Sequence, residues 1–184
     1  MTPFGAAALA GYTIAIRLIV VAILPSWGLC NAAATLVGQN LGARKPDRAE
    51  RAVWLCGFYN MGFLALVTVV FVFFAHPLVA MFTPDPAVRA LGAECLRIIS
   101  YGYVVYAWGM VTVQAFNGAG DTATPTWINL FCYWMFQIPL AYALARPLGY
   151  GVQGVFWAIP IAELLIALAG IVFFRRGAWR SRVV

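Results

Sequence analysis

The chain has 184 residues, of which 64% are hydrophobic and only 10% charged, with a mean hydropathy of +0.86. A soluble domain normally carries about 25% charged residues to cover its core, so the composition excludes a soluble globular protein and points to a bilayer as the solvent. The net charge of +6 comes from 12 Lys+Arg against 6 Asp+Glu; these residues cluster at the ends of apolar segments, which argues for membrane topology signals and against nucleic-acid binding.

Six apolar segments are predicted, each near the roughly 20 residues that a spanning helix needs. The first covers about 6–24 and is closed by Pro25; the second covers about 27–42. A charge run follows, Arg44, Lys45, Asp47, Arg48, Glu50 and Arg51. The third covers about 52–75 and stops at His76-Pro77. Leu78 to Val88 reads as a connector in which Val79, Met81 and Phe82 form a short interfacial helix. The fourth segment is about 91–116, followed by the turn Asn117-Gly118-Ala119-Gly120-Asp121. The fifth is about 125–145, the sixth about 152–174, and a basic tail occupies 175–184. The expected fold is an all-α membrane protein, a six-transmembrane-helix bundle forming a single lobe over 1–184. The first segment lacks a basic leader and reads as a retained span. Six crossings place the charge run, the basic tail and both chain ends on the cytoplasmic side of a cell (inner) membrane.

Catalytic chemistry has little to work with. His76 is the single histidine, no metal-ligand spacing or nucleophile elbow occurs, and the chain reads as no enzyme, with no metal and no cofactor. Cys30, Cys56, Cys95 and Cys132 are widely separated and read as small buried hydrophobes.

Charged residues inside spans are costly unless paired or solvated. Arg17 lies two-thirds along the first segment and Glu163 midway along the sixth. At ~1.5 Å per residue Arg17 sits about 17 Å from the cytoplasmic end of the first segment and Glu163 about 17 Å from the outer end of the sixth, both near the midplane of a ~30 Å core. Two readings remain open: Arg17 and Glu163 line a polar pathway, or they form an ion pair that fixes the packing of the first and last helices. Asn31, Gln114, Asn129 and Gln137, with Tyr101, Tyr103 and Tyr106, are further intramembrane polar groups that either face a pathway or bond neighbouring helices. Gly38 and Gly42 form a GxxxG spacing. Pro139 and Pro160 are possible hinges.

Two turns are alike: Gly38-Gln39-Asn40-Leu41-Gly42-Ala43 and Phe116-Asn117-Gly118-Ala119-Gly120-Asp121 each end a helix with an amide followed by small residues. The run Ala34 to Ala43 resembles the signature after the eighth helix of multidrug and toxic compound extrusion (MATE) transporters. Asn117 to Thr122, followed by Pro125, resembles their tenth-helix signature, and Ile138-Pro139-Leu140-Ala141 and Gly154 to Ile159 are similar to their eleventh- and twelfth-helix patterns. The resemblance covers nearly the whole chain. It implies one lobe of a twelve-helix exporter, the C-terminal half, in contact with membrane lipid and with either a missing N-terminal lobe or a homodimer partner. It implies efflux of small amphipathic or cationic substrates, driven by Na+ or H+ as coupling ion. A branch of the family carries acidic residues in its seventh and tenth helices; here the first segment has no carboxylate and Tyr106 stands near the tenth-helix position. Export of lipid-linked saccharides and a non-transporting membrane scaffold are the alternatives.

Overall fold

A computed structural model describes residues 5–181 as a bundle of helices; of the predicted tail, residues 182–184 lie outside the described residues. Helix α1 runs Ala6–Gly42, α2 Pro46–Ala80, α3 Pro86–Ser100 and α4 Tyr103–Gly118. Then come α5 Ala123–Asn129, a π-helical stretch Leu130–Gln137 and α6 Ile138–Ala145, which run on as one 23-residue apolar span. Helix α7, Gly151–Arg175, and a short 3-10 turn at Ala178–Ser181 close the described chain.

The first two predicted segments are therefore one helix. Pro25 lies inside α1 without ending it. Proline inside a helix removes one backbone hydrogen bond, which neighbouring helices and nearby hydroxyls can compensate at membrane depth. Pro77 behaves alike inside α2, so Leu78 to Ala80 extend that helix and form no separate interfacial one. The connector ends at Asp85, whose carboxylate accepts from the amides of Ala87 and Val88 and starts α3 with Pro86 at its first position.

The fourth predicted segment is continuous in sequence but broken in space. Helices α3 and α4 meet at Tyr101-Gly102 with a 58° bend. The Ser100 carbonyl at the break accepts a hydrogen bond from Thr68 Oγ1 of α2 at 2.9 Å. Counting the bent pair as one span, up to five of the described helical stretches are long and apolar enough to cross a membrane. The start of α1 then lies beside the start of α7, where Tyr12 stacks on Phe156 at 6.3 Å. At the other end, Arg180 bonds Glu50 and lies 3.7 Å from Asp47. Both basic clusters thus share one end of the bundle.

Small residues bring the helices together. A methyl group on Gly11 would lie 2.8 Å from the Gly92 nitrogen, and one on Gly118 would collide with the Ala34 backbone. A methyl group on Gly38 would lie 3.1 Å from the Gly118 carbonyl oxygen, so the two similar turns pack on each other. Gly42 meets nothing within 4 Å, so only the first glycine of the GxxxG pair makes a contact. Large apolar residues point outward instead: Val21, Phe73, Met81 and Trp134 are each more than 60% exposed on the isolated chain, as expected for surfaces that meet lipid. Below α7, Trp179 is buried, stacked on Phe174 at 4.6 Å, with its indole nitrogen donating to the Phe174 carbonyl.

Replacing Gly118 with Val should therefore lower stability by about 1–3 kcal/mol or more through overpacking. Gly62, with open space around it, should accept Ala with no loss. Thermal unfolding in lipid nanodiscs reads the difference; equal melting of the two variants would contradict close glycine packing.

Candidate functional site

A cavity of about 330 Å³ lies between α1, α4, the π segment and α7, with Trp27, Cys30, Tyr106, Met110, Gln114, Asn117, Asn129, Tyr133 and Ile166 on its walls. These elements, with Asn129 from the end of α5, place the groups by helical periodicity: Tyr106, Met110, Val113 and Asn117 recur every three or four residues along one face of α4. No lining residue is charged. Tyr106 and Tyr133 bring their hydroxyls to 3.4 Å. An amide chain runs along the edge: Asn117 Nδ2 donates to Gln114 Oε1 at 2.7 Å, and Gln114 Nε2 donates to Asn31 Oδ1 at 3.4 Å. The site is neutral, aromatic and amide-rich, suited to hold a flat amphipathic molecule by ring contact.

Of the predicted pathway residues, Tyr106 and Gln114 line this cavity and Asn31 bonds its edge. Gln137 lies in a second cavity of about 330 Å³, with Tyr12 and Ile159, and Tyr133 is shared by both. The π-helical winding of Leu130–Gln137 leads directly to Pro139 at the start of α6. Pro160 is buried inside an unbroken α7 and touches the α3–α4 break, where a methyl group on Gly102 would lie 2.7 Å from the Pro160 Cβ.

The turn residues have structural work. Asn40 bonds the Leu36 carbonyl at 2.7 Å, the Gln39 carbonyl accepts from Ala43, and Gly120 takes the left-handed conformation at φ 73°. The Asp121 carboxylate accepts from the Thr124 amide and hydroxyl, opening α5.

Arg17 and Glu163 do not pair. From the Tyr12–Phe156 stack, Arg17 is five residues on and Glu163 seven, so their positions along the bundle differ by about 3 Å. Laterally they diverge. Arg17 is exposed, on the side of α1 away from the buried stripe of Ala15, Ile19 and Ile23. Glu163 is 7% exposed and points into the bundle. The ion pairs among the described residues belong to Arg180. Which way each side chain faces is set by the packing.

A polar cluster escaped the sequence reading. Asn60 of α2 is fully buried, bonds Ser26 of α1, and donates to the Ala107 carbonyl of α4 at 3.2 Å. A lone amide in the middle of an otherwise apolar span was its only signal. Tyr133 and Trp27 were passed over as ordinary aromatic residues of spans.

A family model described as MatE matches residues 1–143. The chain belongs to the MatE family. It is 31% identical over 178 residues to the probable multidrug resistance protein NorM of Caulobacter vibrioides, covering 96% of this chain and 38% of that protein. It is 32% identical over 161 residues to the corresponding Pseudomonas aeruginosa protein. Among solved structures, the bent form of the Vibrio cholerae MATE transporter VcmN superposes with a TM-score of 0.89 at 22% identity, over 98% of this chain and 41% of that one. The chain thus spans about 40% of the MatE relatives it matches and carries the fold of one lobe.

The absence of an Arg17–Glu163 pair is testable by a double-mutant cycle. Arg17→Gln and Glu163→Gln should act independently on unfolding in lipid, with a coupling energy under about 0.5 kcal/mol. A coupling of about 3 kcal/mol, the scale of a broken buried pair, would contradict the described packing.

Proposed function

We propose that this lobe forms one wall of a multidrug or organic-cation efflux antiporter driven by inward Na+ or H+. The observation that carries the reading is the neutral, aromatic, amide-edged cavity of α1, α4, the π segment and α7. Trp27, Tyr106 and Tyr133 offer ring faces to an amphipathic cation. The names of the MatE relatives, multidrug resistance proteins, support the same substrate class. Export of a lipid-linked saccharide phosphate would favour basic walls, and no Lys or Arg lines this cavity.

A second observation concerns the cavity's missing side. Thr13, Arg17, Val20, Leu24, Trp27, Asn31 and Thr35 recur every three or four residues along α1, and every one is exposed. A guanidinium at this depth is costly in lipid. The stripe therefore faces water or protein, and the covering element is a second lobe like that in the longer relatives, or a second copy of this chain. The basic end, with Arg44, Lys45, Arg48, Arg175 and Arg176, is assigned to the cytoplasm of a cell (inner) membrane by the positive-inside rule.

Reconstitution of the full gene product in lipid vesicles tests the reading. A cationic dye should leave against its gradient only when a Na+ or H+ gradient is imposed. Tyr133→Ala should weaken dye affinity about 3- to 10-fold, the value of one aromatic contact. Absence of gradient-dependent efflux for any cationic dye would leave the scaffold reading in place.

A further inference from the structure

Glu163 stands apart from the other acidic side chains of the described chain. Asp47 and Glu50 face Arg180, Asp85 caps α3, Glu94 accepts from Gln153, and Asp121 accepts from Thr124. Glu163 is more than nine-tenths buried, and its Oε2 has no hydrogen-bond partner. It also sits at a special place. A methyl group on Gly102 would lie 2.6 Å from Glu163 Oε2 and 2.7 Å from the Pro160 Cβ. The carboxyl group thus rests directly on the glycine where α3 and α4 bend by 58°.

The surroundings decide what such a group can hold. The titratable groups facing it are Tyr103 and Tyr106 from α4 and Tyr133 from the π segment. Cys95 of α3 lies next to Tyr103. The charged residues of α3 are engaged elsewhere: Glu94 with Gln153, Arg97 with the Val72 carbonyl and Arg89 with the Thr83 carbonyl. Helix α5 has no titratable residue, and Tyr142 of α6 is exposed. No cation among the described residues therefore neutralises Glu163. A metal ion such as Na+ needs a shell of several oxygens, yet the hydroxyls of Tyr106 and Tyr133 are joined to each other and Gly102 and Pro160 pack against the carboxyl. A proton needs no shell. It neutralises the carboxyl in place and supplies the donor that an otherwise bare buried oxygen lacks.

We propose that Glu163 is a proton-binding site seated on the α3–α4 break, and that its occupancy sets the bend. With the proton bound, the neutral carboxyl packs against Gly102 and Pro160 as observed. When the proton leaves, an anion is stranded in an apolar contact. It is relieved by turning toward the Tyr106–Tyr133 hydroxyls and the wet cavity, which frees Gly102 from Pro160 and lets α3 and α4 change angle. The inference deepens the efflux reading, on which its role as the coupling step rests. It assigns the coupling ion as a proton and its site to α7.

The test uses the full chain in lipid nanodiscs. Infrared difference spectra between neutral buffer, where ordinary carboxyls are already ionised, and alkaline buffer should show loss of the protonated-carboxyl C=O stretch in the native protein. That change should be absent in Glu163→Gln and retained, at a shifted pH, in Glu163→Asp. Hydrogen-exchange protection of the amides around Gly102 should fall about tenfold per pH unit across the same transition, and stay constant in Glu163→Gln. Persistence of the carboxyl signal in Glu163→Gln overturns the assignment. Loss of the signal on adding Na+ at fixed pH makes the group a sodium site and also overturns it. Constant protection in the native protein overturns the link to the bend. Dye efflux from vesicles is scored separately: a titrating Glu163 without efflux sinks the transport reading and leaves the proton site, whereas efflux without a titrating Glu163 sinks the proton site alone.

Discussion

Lipid tails are as apolar as leucine, so two helices in a bilayer gain little by hiding leucines from their surroundings. What holds them is close backbone approach, and in this bundle the close approaches pass through glycine. Gly11 meets Gly92 where α1 crosses α3, Gly118 meets Ala34 and Gly38 where α4 crosses the end of α1, and Gly102 meets Pro160 and Glu163 where α7 crosses the break. These contacts fix the position of α4 between α1 and α7, and the main cavity is the space left along its length. The Ser26–Asn60–Ala107 bonds tie α1, α2 and α4 at the same level and give the apolar interior one polar fixed point.

Much of the architecture was legible in the sequence because the bilayer restricts the choice of structure: an apolar stretch of sufficient length is a helix. The fifth and sixth segments, about 125–145 and 152–174, correspond to Ala123–Ala145 and Gly151–Arg175. The errors share a cause. Proline was read as a stop at Pro25 and Pro77, as it is in water, whereas both lie within continuous helices. Conversely, the break at Tyr101-Gly102 has no proline at all; it is held by Thr68 from another helix, a contact that local sequence does not carry.

For the site, residue type was readable and direction was not. Tyr106, Gln114 and Asn31 belong to the cavity region, and Gln137 to its neighbour. Arg17 and Glu163 face apart: Arg17 joins an exposed stripe of α1, while Glu163 turns inward to the bend. Asn60 and Tyr133 were invisible because an amide or a phenol in a span acquires meaning only from the helix opposite. The similar turns after α1 and α4 proved informative for a physical reason, since their small residues let the two helix ends pack on each other.

The most direct measurement of this arrangement is the sidedness of its loops. Single cysteines at the exposed positions Ala6, Met81, Leu148, Lys45 and Thr122, in vesicles of known orientation, can be labelled with a membrane-impermeant thiol reagent, the four native cysteines being buried. Five crossings require Ala6, Met81 and Leu148 to react from one face and Lys45 and Thr122 from the other. Labelling of Ala6 from the same face as Lys45 would show that α1 crosses twice, and would contradict the fold on which the cavity and the bend depend.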